Sequence, residues 1–415
     1  MSNRRGVLCH ITSLPTGDMA SGLRFIDWLS ARGFDAWQIL PLTPPDRFGS
    51  PYASPSAFAG WPELCHQEIF GDLNEETYWL EDWALYCAIK KSQNGLPWYE
   101  WPVELRDRHP EALSHWKNQI DPYLKEQEEF QANWNALKVH AYSNNIQLIG
   151  DCPIFVSHDS ADVWAHRELF LLDENGHPEF VTGVPPDYFS EDGQKWGTVL
   201  YDWSAHEKEN WTWWKQRIQR MLRLYDRVRI DHFRGFHSSW AIPHEDEHAR
   251  NGSWQDGPKD TLIQALLDGG CGSSQIIAED LGIIPQEVID LRKRHNLHGM
   301  AVLQFGFEGE LDSNPHHPRN ISFDQVVYTG THDNDTTRGW YNEATDEIKA
   351  NLSELAIDGE DPLQTMVRLA QSTDAELAII PMQDILALDS SCRMNAPGTI
   401  DGNWIWKFDW SDIIL

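Results

Sequence analysis

Eight short runs of branched and apolar residues, each ending in polar or charged residues, constrain this chain more than any other feature. They are GVLCHI (6–11), DAWQILPL (35–42), IQLIGDCPIF (146–155), RVRIDHF (227–233), QIIAED (275–280), MAVLQFGF (300–307), QVVYTGTHD (325–333) and ELAIIPM (376–382). Runs of this kind read as strands. Between several of them lie amphipathic helical patterns: Leu23, Ile26 and Leu29 closed by Gly33, then Trp211, Trp214, Ile218, Met221 and Tyr225. A third, PLQTMVRLAQ, follows Asp361 as N-cap and opens with Pro362 at its first position. Strands alternating with helices favour a parallel sheet, and eight such units point to an α/β (β/α)8 barrel rather than an open doubly wound sheet.

Two connections, 43–145 and 156–226, are too long for plain crossovers and are rich in proline, tryptophan and tyrosine. They are read as large insertions after the second and third strands. No linker or internal repeat divides the chain, so residues 1–415 are expected to form one catalytic barrel domain carrying inserted subdomains at about 43–145 and 156–226.

Charge narrows the partners. Lys+Arg is 33 against Asp+Glu 64, a formal charge of −31, which repels nucleic acid and anionic membranes but not an uncharged substrate. The same acidity also fits plain solubility, or adaptation to salt or cold. Tryptophan numbers 21, which suggests flat apolar faces that meet a ligand, though tryptophan also fills cores. Six cysteines without a CxxC pair fit reduced thiols in a cytoplasm. No apolar run is long enough for a signal peptide or a membrane span.

In a barrel of this type the active site lies at the carboxyl ends of the strands. Those ends supply His10, Asp151, Asp231, His232, Glu279, Asp280, His332 and Asp333. Three carboxylates from different strands around one mouth suit cleavage of a glycosidic bond. One acid stays ionised to attack or stabilise an oxocarbenium-like centre, and another holds a proton for the leaving oxygen. Arg229, two residues before Asp231 on the same side of the strand, favours the ionised, nucleophilic form of that acid.

Each residue also has a plainer reading. Asp280 before LGIIPQEV fits a helix N-cap better than catalysis, and Asp333 or Asp335 could cap a helix at NDTTRGWY. His10 and His332, taken singly, fit core histidines. HEDEH (244–248) matches the HExxH zinc pattern, but its surroundings offer no apolar face for a buried helix.

Beyond these single residues, long motifs occur in order: GSPYASPSAFAG (49–60), GVPPDYFSEDGQKWG (183–197), RIDHFRGF (229–236), IIAEDLG (276–282), GMAVLQFGF (299–307), YTGTHDNDTT (328–337), MNAPGT (394–399) and NWIW (403–406). On these the chain resembles the 4-α-glucanotransferases, the amylomaltase or disproportionating-enzyme family of glycoside hydrolases, along nearly its whole length. The resemblance implies Asp231 as nucleophile, Glu279 as general acid/base and Asp333 as the third carboxylate, which binds sugar hydroxyls and helps distort the ring. It also implies Tyr52, Asp151, Trp196, Arg229, His232 and His332 as sugar-binding positions, and GVPPDYFS as a mobile loop over the glucan.

Some positions depart from the family pattern. The segment TGDMASG after TSLP is not glycine-rich, Trp61 stands where asparagine is usual, and Thr198-Val199 replaces Asn-Pro; the latter two changes fall at likely subsites. By this resemblance the chain is also expected to be short for the family, without an extended amino-terminal domain. The implied reaction is a retaining double displacement between an α-glucan or maltooligosaccharide donor and a sugar acceptor, without metal or cofactor. Three alternatives remain: an α-1,4-glucan hydrolase using the same acids, a zinc hydrolase using HEDEH, and a catalytically silent glucan-binding protein.

Overall fold

The computed structural model describes residues 3–71, 73, 77–186, 191–399 and 401–413. Among them the strands, in chain order, are β1 (Arg4–Leu8), β2 (Ala36–Gln38), β3 (Gln147–Pro153), β4 (Phe180–Val184), β5 (Gln194–Val199), β6 (Arg227–Asp231), β7 (Ser238–Pro243), β8 (Ser253–Asp256), β9 (Ile276–Ala278), β10 (Gly299–Val302), β11 (Gln325–Tyr328) and β12 (Leu377–Pro381). Each of the eight apolar runs carries one strand of a parallel sheet, ordered β10-β11-β12-β1-β2-β3-β6-β9. The ring closes where the Ala278 amide donates to the His298 carbonyl at 2.7 Å, just before β10. The chain is a (β/α)8 barrel.

Strand alternation sorts the side chains. Val228 and Ile230 of β6 join the core cluster that includes Trp214, Ile218, Met221 and Leu224 of the helix Thr212–Leu224. Leu8, Ala36, Ile149, Ile277, Met300, Val302, Val326, Tyr328, Leu377 and Ile379 form a separate cluster that fills the barrel, leaving no pore. The helix Met19–Ala31 is capped by Asp18, and Gly33 at φ 69° turns the chain out of it into β2. In the helix Pro362–Ser372, Asp361 and Gln364 complete a capping box, with proline in the first turn.

The long connections build the surroundings of the mouth. Residues 77–143 carry the helices Thr77–Ser92 and Asp121–Ser143, whose buried face includes Trp134. A second, antiparallel sheet, β5-β4-β7-β8, draws two strands from the connection before β6 and two from the segment after it. Most tryptophans serve the core: Trp37, Trp98, Trp134, Trp164 and Trp214 are fully buried, whereas Trp196 and Trp254 are exposed. No helix among the described residues is long and apolar enough to cross a membrane.

At the amino-terminal end of the barrel, Arg227 reaches across the ring to Glu376, which precedes β12, four places away in strand order. Arg227 Nη1 lies 2.9 Å from Glu376 Oε2, and His298 Nε2 lies 3.1 Å from the same oxygen. The His298 hydrogen bond brings the Glu376 carboxyl down to about 2, burial opposes, and Arg227 reinforces. Because the folded value lies below the unfolded carboxylate value of about 4.3, this contribution is complete above that pH and is lost as pH falls toward about 2. Glu376→Gln leaves a buried guanidinium without its anion, and denaturant unfolding at pH 7 should show a loss of about 3 kcal/mol. Repeated at pH 3, the gap between variant and parent should narrow.

Candidate active site

The carboxyl ends of the barrel strands open into a cleft of about 480 Å³. Tyr52, Trp196, Asp231, His232, His332 and Asp333 all line it. Asp151, Arg229 and Glu279 support this wall through hydrogen bonds, so the nine residues that the family resemblance implies as catalytic or sugar-binding gather at one mouth.

The construction starts from β6. Alternation puts Arg229 and Asp231 on the same side of the strand, and parallel pairing sets Asp151 of β3 beside Arg229 and Pro153 beside Asp231. The Arg229 guanidinium then spans two acids: Nη2 donates to Asp231 Oδ1 at 2.6 Å and Nη1 donates to Asp151 Oδ2. The Tyr52 hydroxyl donates to that same Asp151 oxygen at 2.7 Å. Burial opposes the charge on Arg229, but Asp151 and Asp231 outweigh it and hold the guanidinium protonated more firmly than usual. At Asp151 burial pushes the carboxyl up, and Arg229 works against that rise. The other Asp151 oxygen, Oδ1, is buried with no protein partner among the described residues.

Glu279 follows β9 two residues after Ile277, which alternation directs into the barrel. Its Oε2 accepts the His232 amide at 2.7 Å and its Oε1 accepts the Leu281 amide at 2.8 Å. His232 makes this possible by adopting left-handed backbone angles, φ 53° and ψ 49°, a conformation uncommon for a residue with a side chain. Burial, and then the charge of Asp231, push the Glu279 carboxyl up to about 7, with Arg229 and the two amides opposing. The His232 ring is brought down to about 4 by burial and is therefore neutral at pH 7. Its edge meets Trp196 at 4.9 Å between ring centroids, and its Nε2 is buried without a protein partner among the described residues.

The third acid is held by loops. Asp333 Oδ1 accepts from Asn395 Nδ2 at 2.6 Å, Oδ2 lies 3.4 Å from His332 Nε2, and the main-chain carbonyl accepts from Arg393. His332 stacks on Tyr52, with centroids 5.3 Å apart and planes 10° from parallel, and Trp404 stands 5.7 Å from Tyr52. Sugar hydroxyls suit such a wall, where oriented carboxylates, imidazoles and flat rings alternate.

Several of the plainer readings fail. Asp280 caps no helix: its Oδ1 accepts the Met300 amide at 2.8 Å and its Oδ2 pairs with Arg292 at 3.0 Å, tying β9 to β10, while the next helix begins at Gln286 after Pro285. Asp333 and Asp335 do not cap the helix Thr337–Glu343 either, because the Thr336 hydroxyl accepts from Gly339 in that role. HEDEH lies in an irregular turn after β7, so its two histidines do not share a helix face. His10 is a buried residue in the wall of a small cavity beside His332, outside the main cleft. Thr198 lines the cleft and shares a hydrogen bond with Thr182, whereas Trp61 packs against the main core and does not reach the cleft wall, which corrects its placement at a subsite. Of the expected mobile loop GVPPDYFS (183–190), residues 187–190 lie outside those described.

Sequence reasoning assigned no role to Asn395, Trp404 or Phe48, although all three line the cleft. MNAPGT and NWIW held the signal for two of them, and only as motif matches.

Fold and site together define a carbohydrate-active enzyme of the (β/α)8 class. A family model described as 4-alpha-glucanotransferase matches residues 9–70 and 66–411, and the chain belongs to that family. It is 42% identical over 469 aligned positions to the chloroplastic/amyloplastic 4-alpha-glucanotransferase of Arabidopsis thaliana, covering 97% of this chain and 81% of that one. With the 4-alpha-glucanotransferase of Thermus thermophilus it shares 40% identity, covering 97% of this chain and 94% of the relative. Among solved structures, the amylomaltase from Streptococcus agalactiae in complex with acarbose superposes with a TM-score of 0.93 at 33% identity, covering 99% of this chain and 96% of that one. The chain is an enzyme, a transferase of the 4-alpha-glucanotransferase class.

Replacing Arg229 by lysine keeps the charge but cannot bridge two carboxylates through one planar fork. Arg229→Lys should remain folded by circular dichroism and lose about a hundredfold in kcat/KM, because the acids shift relative to the reacting carbon. Full activity in this variant would show that the bridge does not position Asp231.

Proposed function

We propose that Asp231, Glu279 and Asp333 carry out the transfer by a retaining double displacement on α-1,4-glucans. The observation that carries this reading is the unequal treatment of two neighbouring acids. Asp231 faces a guanidinium at 2.6 Å, while the Glu279 carboxyl is pushed up to about 7. One acid is thereby suited to attack and the other to hold a proton near neutrality. Asp231 bonds to the anomeric carbon as Glu279 gives its proton to the departing glycosidic oxygen. An acceptor 4-hydroxyl, deprotonated by the now ionised Glu279, then displaces Asp231 with net retention.

The remaining residues bind and orient. Asp333, fixed by Asn395, accepts from sugar hydroxyls, and the unpartnered Asp151 Oδ1 and His232 Nε2 offer further polar contacts to the sugar. Arg229 positions Asp231, Tyr52 and His332 stack along the bound ring, and Trp196 gives the acceptor a flat face that favours sugar over water. Donor and acceptor are maltooligosaccharides or longer α-glucans. We read the chain as one catalytic domain whose inserts at about 43–145 and 156–226 supply Tyr52 and Trp196 to the mouth. Its six free cysteines fit a reducing compartment, the cytoplasm.

Incubation with maltotriose followed by chromatography should give glucose and a ladder of longer maltodextrins. Glucose without the ladder would mark a hydrolase instead. Asp231→Asn and Glu279→Gln should each stay folded and lose about a thousandfold or more in turnover. Since the protonated form of Glu279 drives the first step, kcat/KM for the donor should be sustained below about 7 and fall as pH rises through that value.

A further inference from the structure

Arg234 does not line the catalytic cleft, although it lies three residues after Asp231. Its guanidinium is half-buried, burial brings it down from its ordinary range, and no carboxylate pairs with it among the described residues. That is unusual in a chain where acids outnumber bases 64 to 33. Other groups hold it. The guanidinium carbon lies 3.8 Å from the centre of the Trp254 ring, and Nη1 donates to the Ile283 carbonyl at 2.7 Å. Trp254 of β8 faces Trp240 of β7 across the ladder, with ring centroids 5.1 Å apart, and the Trp240 indole donates to the Ala249 carbonyl at 2.8 Å. The second sheet thus supplies a fixed aromatic floor for a cation that reaches the loop after β9.

What the cation ties down is the surroundings of Glu279. Three consecutive residues reach from the end of β6 to that loop: the His232 amide donates to Glu279 Oε2 at 2.7 Å, the Phe233 amide donates to the Glu279 carbonyl at 3.1 Å, and Arg234 takes the Ile283 carbonyl. Beyond Asp280 the loop turns at Gly282, φ 88°, and exposes Ile283 before the helix that begins at Gln286. Among the described residues, two hydrogen bonds hold the backbone of Leu281–Ile284: the Leu281 amide to Glu279 Oε1 at 2.8 Å, and the Ile283 carbonyl to Arg234. Without the second, a glycine-bearing turn is free to carry the Leu281 amide away from the acid it faces.

We propose that Arg234 is a positioning residue for Glu279: stacked on Trp254, it clamps the loop after β9 so that the Leu281 amide stays on Glu279 Oε1 and the carboxyl stays aimed at the glycosidic oxygen. The inference rests on the acid/base role proposed for Glu279. Arginine suits the task because one planar cation can stack on a ring and donate along its edge, whereas lysine concentrates its charge at a point. The charges that face Glu279 come from Asp231 and Arg229, and a change at position 234 leaves both in place.

The test asks whether losing the clamp weakens proton donation in particular. Arg234→Lys keeps the charge and should keep the parent's circular dichroism. On maltotriose, whose leaving sugar needs a proton, it should lose about tenfold in kcat/KM; on α-maltotriosyl fluoride, whose fluoride departs without one, it should stay within about twofold of the parent. Because the Leu281 amide opposes the rise of the Glu279 carboxyl, its loosening should also move the basic limb of kcat/KM for maltotriose up by about half a pH unit. Trp254→Leu, which keeps Arg234 but removes the floor beneath it, should shift both readouts the same way, and it decides the matter if Arg234→Lys does not fold. Equal losses on the two donors with an unmoved limb, or no loss on either, overturn the role. Glu279→Gln in the same assays separates the premise: an equal loss on both donors there defeats the acid/base reading itself, whereas a loss confined to maltotriose in Glu279→Gln alone defeats only the clamp.

Discussion

A guanidinium buried at the mouth of a barrel must be matched on every side, and this requirement organises the site. Arg229 is 3% exposed and has Asp151 on one arm and Asp231 on the other. Removing either acid would leave a desolvated charge with part of its compensation gone, a cost of several kcal/mol. The register of β3 against β6 is therefore tied to the chemistry, because a one-residue slip would turn Asp151 away from Arg229. From Asp151 the linkage continues through the Tyr52 hydroxyl, the Tyr52–His332 stack and the contact of His332 with Asp333. One physical chain of contacts joins the acid on β6 to the acid after β11.

The same arrangement gives unequal surroundings to the two acids proposed for the reaction. Asp231 touches the cation directly. Glu279 receives two backbone amides, yet burial and the nearby charge of Asp231 still raise its carboxyl to about 7. Two carboxyl groups at neighbouring strand ends thus differ through their surroundings and not through their type. His232 takes part through its backbone: its left-handed conformation aims the amide at Glu279, and its ring is left free to meet Trp196.

The barrel was legible because its cause is local. RVRID alternates in a way that sends Val228 and Ile230 to the helices and Arg229 and Asp231 to the mouth, and anyone reading that pentapeptide can assign the faces. The four-stranded sheet was not legible, because β4 pairs with β7 across β5, two α-helices and the barrel strand β6, and no local period announces that partnership. Asp280 misled for a related reason: an acid before LGIIPQEV resembles a cap, but Arg292 and the Met300 amide, brought in by the fold, claim both oxygens. Phe48 carries no signal of its own, and Asn395 carries one only as part of the MNAPGT motif. They matter only because loops far apart in sequence meet above β6 and β11.

This division between strands and loops has a consequence for how the enzyme can vary. The groups proposed to exchange protons and bonds sit at strand ends, where pairing, burial and ion pairs over-determine their positions. The outer walls of the cleft sit on turns, among them the Asp46–Ser50 turn and Trp404, a non-glycine residue at φ 65°. A substitution on such a turn changes the cleft wall without disturbing Arg229 or the acids around it. Thr198 on β5 and Phe48 at the rim line the cleft but take no part in the β3–β6 pairing that holds Asp231.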